Sequence, residues 1–201
     1  MVIIARRRWL MGGTRYNARG IDDEGNVANF CELEHLVFNH TLYKDPVRIS
    51  KGEHIVQKTT IKSYVQVRGS MPFFWDQKGV KTVLINRNLD TTMFAFKKHF
   101  ADLRKDYNDG QILVINLITT HSSMEKGLLD HYESLLQTSG LPREQLNYLY
   151  FDFHEQCAKN TDPLVELVDT TIYSDFIEKM GIFVISNNVV LKSEAEGMIK
   201  L

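Results

Sequence analysis

The stretch Ile112-Leu113-Val114-Ile115-Asn116-Leu117-Ile118 is a continuous apolar run of strand length, and it lies between stretches of helical periodicity. Such a run predicts a central strand that is covered on both faces. Before it, an apolar stripe predicts a helix that begins at Asp90 or Thr91 and stops at Asn108-Asp109-Gly110. The stripe consists of Met93, Phe96, Phe100, Leu103 and Tyr107. A strand covered by helices is typical of an α/β fold.

The alternation of strands and helices continues after the run. Ser122-x-x-Glu125 forms a capping box that predicts the start of a second helix, and Gly140 with Pro142 predicts its end. The following stretch, Tyr148 to His154, is rich in aromatic residues and is interpreted as another strand. The apolar residues of the second helix are Leu128, Leu129, Tyr132, Leu135 and Leu136.

Two further patterns follow towards the end of the chain. Asp162-Pro163 supplies a cap and a first-turn proline for a third helix that is expected to end near Gly181. Asn187-Asn188 lies between two short apolar runs and predicts a β-hairpin.

The first third of the sequence has the two-residue period of strands. Residues 14–38 are interpreted as a hairpin with a charged turn at 20–26, and residues 39–60 as a surface loop or a weak edge hairpin. Ser63 to Arg68 alternates as a half-buried strand does. We therefore expect an α/β fold with a mixed β-sheet flanked by helices. Ligands of such sheets bind at the carboxyl ends of strands, here after Arg68, Ile118 and His154.

Composition excludes several classes of protein. The 201 residues are 43% hydrophobic and 24% charged, with a net charge of −1, so no global field attracts nucleic acid. No stretch approaches the 18 or so uninterrupted apolar residues of a transmembrane helix, and none is expected. The two cysteines are too few for a disulfide framework and indicate a reducing, cytoplasmic setting.

A series of separated motifs resembles the Sac-domain phosphoinositide phosphatases in order and spacing, and this resemblance covers most of the chain. The motifs are Gly13-Thr14-Arg15-Tyr16, Arg19-Gly20-Ile21-Asp22, Gly25 to Phe30 with Glu32 and Glu34, Arg68 to Trp75, Phe96 to Phe100, Ile115 to Ile118, and Phe151 to Glu155. The resemblance implies removal of a phosphate from the inositol ring through a cysteinyl-phosphate intermediate. The family's nucleophile lies in a Cys-x5-Arg-[Thr/Ser] loop, where backbone N–H groups and the arginine hold the phosphate.

That catalytic loop does not occur in these 201 residues. Cys31 is followed six positions later by Val37, and Cys157 by Pro163. Gly197-Met198-Ile199-Lys200-Leu201 resembles the family's lead-in to the loop. We therefore expect residues 1–201 to be a partial Sac phosphatase domain without the family's N-terminal subdomain or catalytic loop. Such a fragment is expected to be inactive alone, with no catalytic residue, metal or cofactor; the alternative is a non-catalytic module that binds a phosphoinositide or a protein.

Three arginines are candidates for contact with a phosphoinositide headgroup. Arg68 precedes Gly69-Ser70, whose backbone allows close approach of an anion, although a structural ion pair with Glu32 or Glu34 is the alternative. Arg15 and Arg19 alternate onto one strand face and form either a basic wall or a solvated edge.

Asp152, His154 and Glu32 are candidate supports of the site. On the predicted strand, Asp152 and His154 lie on one face, where they would orient a catalytic loop or relay a proton, or serve as hydrogen-bonded structural residues. Trp75 is expected in the core rather than against lipid. The partner implied by the resemblance is a phosphoinositide headgroup, which places the protein at the cytosolic face of endomembranes or of the plasma membrane.

Overall fold

A computed structural model of the protein describes residues 1–13, 18–44, 54–79, 82–167, 169 and 183–192. The described residues form eight strands and four helices, an α/β fold as predicted. In chain order the elements are β1 (Val2–Arg7), β2 (Cys31–Lys44), β3 (His54–Arg68), β4 (Trp75–Lys78), β5 (Thr82–Ile85), α1 (Leu89–Asp106), β6 (Ile112–Asn116), α2 (Ser123–Ser139), β7 (Leu146–Tyr150), α3 (Phe153–Gln156), α4 (Asp162–Glu166) and β8 (Phe183–Lys192).

The strands belong to three sheets. Four of them form a sheet in the order β1-β2-β3-β8, and β4 pairs with β5 in an antiparallel ribbon. The third sheet is the parallel pair of β6 and β7. Parallel and antiparallel pairing therefore coexist, as the predicted mixed architecture requires.

The chain divides into two compact units. The first takes its described residues from Met1–Ala5, Leu33–Gln66 and Ile182–Leu201, and most of the four-stranded sheet lies there. The second takes its described residues from Arg6–Glu32 and Val67–Gly181. It contains all four helices and both two-stranded sheets.

The second unit contains the hydrophobic core. The aromatic rings of Phe96 and Phe100 on α1 are 5.1 Å apart, and Phe96 lies 6.0 Å from Tyr132 on α2. Phe73, Phe96 and Leu135 are completely buried, and burial of each such side chain contributes about 1.5–3 kcal/mol. Trp75 is also buried, as predicted.

The two long helices were predicted correctly. The first helix is capped by Asn88 rather than Asp90 or Thr91, because the Asn88 side chain accepts a hydrogen bond from the Thr91 N–H at 3.0 Å. Helix α2 is capped by Ser122 as expected, and Gly140 ends it in the left-handed conformation at φ 67°.

Several strand predictions were wrong in extent. Strand β2 begins at Cys31 instead of 27, since Asp22 accepts hydrogen bonds from the N–H groups of Glu24 and Asn26 and shapes the preceding residues as a loop. Residues 39–44 continue β2, and residues 54–60 belong to β3, its neighbour in the sheet. Of the two alternatives for residues 39–60, the described part therefore fits the hairpin and not the surface loop, although these strands are longer than expected.

The predicted terminal hairpin was also wrong. Residues 183–192 form the single strand β8, in which Asn187 and Asn188 pair with Thr59 and Lys58 of β3. The long β3 offers an unbroken partner, and its backbone pairing overrides the local turn propensity of two asparagines. Of the predicted third helix, α4 covers the first turn, and residues 170–182 lie outside the described part of the chain.

Strand β6 is less covered than predicted. Within the described residues it pairs only with β7, and Ile115 is 41% exposed. The apolar run therefore identified a strand correctly but not its position in a sheet.

His99 makes the fold sensitive to pH. Its ring is buried on α1, where Nδ1–H donates to the Gly25 carbonyl at 3.0 Å. Burial, opposed by that hydrogen bond, lowers the pKa of His99 to about 4 from the ordinary 6.5. The folded state thus favours neutral His99, and the resulting stability is present above pH 6.5 and is lost as the pH falls towards 4.

We expect the free energy of unfolding to fall by about 2 kcal/mol between pH 7 and pH 5 because of His99 alone, out of about 3 kcal/mol over its whole titration. Urea denaturation at the two pH values measures this change. In the His99→Gln variant the decrease should be largely absent, whereas the exposed control His154→Gln should retain it. An equal decrease in both variants would show that another group is responsible.

Candidate functional site

Arg68 is the last residue of β3, and its side chain is exposed. It forms no hydrogen bond or ion pair with any other residue in the described part of the chain. The alternative to headgroup contact was a structural ion pair between Arg68 and Glu32 or Glu34. Glu32 instead accepts from Arg6 at 2.8 Å and from the Tyr107 hydroxyl, and Glu34 accepts from the Ser63 hydroxyl at 2.8 Å. The guanidinium of Arg68 is therefore available to a ligand.

The end of β3 is held against the segment that carries Arg19. The Ser70 N–H donates to the Ala28 carbonyl at 2.9 Å, and the Ser70 hydroxyl accepts from the Gly20 N–H at 2.8 Å. The Ala28 N–H in turn donates to the Gly20 carbonyl at 2.9 Å. These bonds bring the segments of Arg19 and Arg68 together at one junction.

Arg19 is ordered by its own contacts. Its Nε and Nη2 atoms donate to Oε1 of Gln77 at 3.0 and 2.9 Å, and its guanidinium lies 5.6 Å from the ring centre of Trp75. This geometry differs from the solvated edge considered for Arg19, because the side chain is partly buried. The third candidate, Arg15, lies outside the described residues.

A second polar cluster joins the loops that follow β6 and β7. Asp152 caps α3 by accepting from the Glu155 N–H at 3.0 Å, and its other oxygen accepts from the Thr120 N–H at 3.0 Å. The Tyr150 hydroxyl donates to the same oxygen at 3.4 Å. Because carboxyl ends of parallel strands meet at one edge, this single carboxylate fixes both loops there.

The predicted shared strand face of Asp152 and His154 was wrong. Strand β7 ends at Tyr150, and His154 lies in helix α3 with an exposed side chain. The aspartate acts as a helix cap, which the aromatic composition of the stretch concealed. A proton relay between these two residues along a strand is therefore excluded.

The Asp152 carboxylate is kept charged. Burial disfavours its ionised form, but the N–H groups of Glu155 and Thr120, the Thr119 hydroxyl and His121 outweigh burial and hold the pKa of Asp152 below its ordinary value. An ionised acceptor with these partners orients the loop after β6 rather than donating a proton at neutral pH.

His121, Asp152 and Glu155 place ligand atoms within 4.8 Å of one another, a set that suits a divalent cation. Contacts within the protein are enough to hold these three side chains together. Both oxygens of Asp152 accept hydrogen bonds, and His121 lies 3.9 Å from the Glu155 carboxylate. Sequence reasoning missed His121, Glu155 and Thr120. The available signal was the polar run Thr119-Thr120-His121 directly after an apolar strand.

In the described part of the chain, no helix is both long enough and apolar enough to cross a bilayer.

Comparisons with known proteins agree on one family. The family model of the SacI homology domain matches residues 1–158. Inositol-1,4,5-trisphosphate 5-phosphatase 1 of Schizosaccharomyces pombe is 37% identical over 92% of this chain and 15% of its own length. For phosphatidylinositol-3-phosphatase SAC1 of Saccharomyces cerevisiae the identity is 31%, over 90% of this chain and 26% of the relative.

A vertebrate relative gives a similar result. Phosphatidylinositol-3-phosphatase SAC1-A of Danio rerio is 33% identical over 98% of this chain and 30% of the relative. The chain thus spans between 15% and 30% of the length of these relatives. Because the family model of the SacI homology domain matches residues 1–158 of the 201, the chain belongs to the SacI homology domain family.

Proposed function

We propose that the protein acts on phosphoinositides as a Sac-type phosphatase that hydrolyses a phosphomonoester on the inositol ring. In this proposal residues 1–201 contribute headgroup contacts and no nucleophile. The observation that carries it is the family match over residues 1–158, together with relatives whose names state activity on phosphorylated inositol compounds. Since phosphoinositides reside in membranes, the protein would work at a cytosolic membrane surface.

The junction of Arg68 and Arg19 suits recognition of a phosphate group. A phosphate offers several oxygen acceptors, and arginine presents five N–H donors in a planar arrangement. Arg68 is exposed and without a partner among the described residues, while Arg19 is already oriented by Gln77. The guanidinium of Arg68 is thus free to bind, and that of Arg19 is ordered on the segment that is hydrogen-bonded to the end of β3.

Asp152 would support the site indirectly. Through the Thr120 N–H it fixes the loop at the carboxyl end of β6, where ligands of α/β proteins commonly bind. The described contacts of Glu32 are with Arg6 and Tyr107, and its role as a support of the site stays a prediction. Our proposal for the headgroup site does not use Glu32.

A second candidate function is phosphoinositide binding without hydrolysis. The exposed guanidinium of Arg68 is compatible with this function, because binding a headgroup requires no nucleophile. Both functions use the same headgroup contacts. They differ in whether phosphate is released.

We expect Arg68→Ala to weaken binding to vesicles that contain a phosphatidylinositol monophosphate by about tenfold. A charge-assisted hydrogen bond contributes on the order of 1.5–3 kcal/mol, and the lower end applies to an exposed side chain. Vesicle flotation of the 201-residue chain over a range of lipid concentrations measures the change.

The matched control for this experiment is Arg143→Ala. Arg143 is also exposed but precedes β7, at the amino end of the parallel pair, so its loss should leave binding unchanged. Equal binding by the Arg68→Ala and unmodified chains, at equal folded fraction, would remove Arg68 from the headgroup site. A large fall in melting temperature with unchanged binding would make Arg68 a structural residue.

A further inference from the structure

A basic cavity lies in the second unit, lined by residues that the headgroup site does not use. It measures about 340 Å³, within the range of about 300–1,000 Å³ of small-ligand sites. Its lining consists of Arg6, Arg7, Arg8, Phe30, Glu32, Asp106 and Tyr107. Three positive and two negative side chains leave this lining with a net charge of +1.

The two carboxylates of the cavity differ in how strongly they are engaged. Glu32 accepts from Arg6 through one oxygen and from the Tyr107 hydroxyl through the other, so its charge is well compensated. Asp106 contacts Arg8 at 3.4 Å, a long distance for an ion pair, and its side chain is 52% exposed. The Asp106 carboxylate is therefore the weakly held one and the easier to displace.

Arg7 is an ordered cation whose contacts are neutral. Its Nη2 donates to Oδ1 of Asn29 at 2.7 Å and to the Gly13 carbonyl at 3.3 Å. In the part of the chain that the structure describes, no carboxylate pairs with Arg7. The side chain is thus held in place while its charge stays uncompensated, which favours an anion.

Arg8 is also positioned before any ligand arrives. Its backbone N–H donates to the Phe30 carbonyl at 3.0 Å, and its guanidinium lies 4.4 Å from the centre of the Phe30 ring. Stacking on an aromatic face orients a guanidinium without using its N–H donors. Arg8 therefore retains donors for an incoming group.

We propose that this cavity is a second anion-binding site, in which Arg7 and Arg8 hold a phosphomonoester group that displaces Asp106 from Arg8. A phosphate dianion presents three terminal oxygens, which suit donors arriving from two or three guanidinium groups. The same group occurs on a lipid headgroup and as free phosphate, so the two sources have to be separated by experiment. This site is distinct from the Arg68 junction in every residue that forms it.

The test titrates the 201-residue chain carrying Arg68→Ala, so that failure of the proposed headgroup contact does not alter the readout. In one arm, calorimetry measures the binding of inorganic phosphate. In a second arm, flotation uses vesicles containing a phosphatidylinositol monophosphate, compared with phosphatidylserine vesicles of equal charge. Binding in the first arm identifies free phosphate as sufficient, and binding confined to the phosphatidylinositol phosphate vesicles identifies the lipid headgroup.

Three variants test whether the measured binding takes place in this cavity. Arg7→Gln should weaken binding about tenfold, because it removes the uncompensated charge. Asp106→Asn should strengthen binding several-fold, since it removes the competing carboxylate. Arg143→Gln should have no effect. Asp106 ends α1, where a negative charge opposes the helix dipole, so its replacement should not destabilise the fold.

If the arginines served only to stabilise the fold, Arg7→Gln and Asp106→Asn would not change anion binding in opposite directions. Binding that is absent in both arms, that is equal for phosphatidylserine vesicles, or that is unchanged by Asp106→Asn would overturn the proposal.

Discussion

Purified as 201 residues, the chain is expected to release no phosphate from any phosphoinositide. Hydrolysis of phosphate monoesters is among the slowest uncatalysed reactions, and enzymes accelerate it by up to about 10²¹-fold. In the cysteine-dependent mechanism of our proposal, that acceleration requires a cysteine nucleophile and an arginine that holds the phosphate, and neither cysteine of the 201 residues is followed by an arginine at the Cys-x5-Arg spacing. A phosphate-release assay against the mono- and bisphosphorylated lipids measures the outcome.

Neither cysteine lies at a helix N-terminus, where backbone N–H groups could bind a phosphate. Cys31 is buried as the first residue of β2, and Cys157 follows the last residue of α3. A Cys31→Ser, Cys157→Ser double variant serves as the control. Turnover above the buffer blank that persists in the double variant would mean that another residue of this chain is the nucleophile.

The helices were predictable because their signals are local. The stripes ending in Tyr107 and Leu136 have the 3.6-residue period, and a cap or a stop residue lies within about one turn of each end of the two helices. Strand pairing is set by partners distant in sequence. Nothing near Asn187-Asn188 indicates that β3 is long enough to pair with ten consecutive residues of β8.

The candidate site was predictable to a smaller degree. Arg68 was identified because a strand ends beside Gly69-Ser70, and the structure places it at that strand end. The hydrogen bond from the Thr120 N–H to Asp152 joins residues 32 positions apart, and it depends on the parallel register of β6 and β7. A register of this kind is a tertiary property, so the sequence showed the aspartate but not its partner.

Gly20→Ala is expected to destabilise the fold by about 4 kcal/mol, which combines left-handed strain with overpacking. Gly20 has φ +70°, and a Cβ atom there would lie 2.5 Å from the Phe73 carbonyl oxygen and 2.9 Å from the Trp75 nitrogen. Both contacts are with backbone, which cannot rotate away as a flexible side chain can. Urea denaturation gives the free energy of unfolding of the variant.

Gly140→Ala separates the two contributions to this cost. Gly140 has nearly the same φ, +67°, but a Cβ atom there meets nothing within 4 Å. It should therefore show only the left-handed strain of about 1–2 kcal/mol. Because the Gly20 N–H donates to Ser70 at the Arg68 junction, Gly20→Ala should also reduce vesicle binding at temperatures where the chain remains folded. Similar costs for the two substitutions would show that the backbone around Phe73 and Trp75 yields, and that this junction is not rigidly packed.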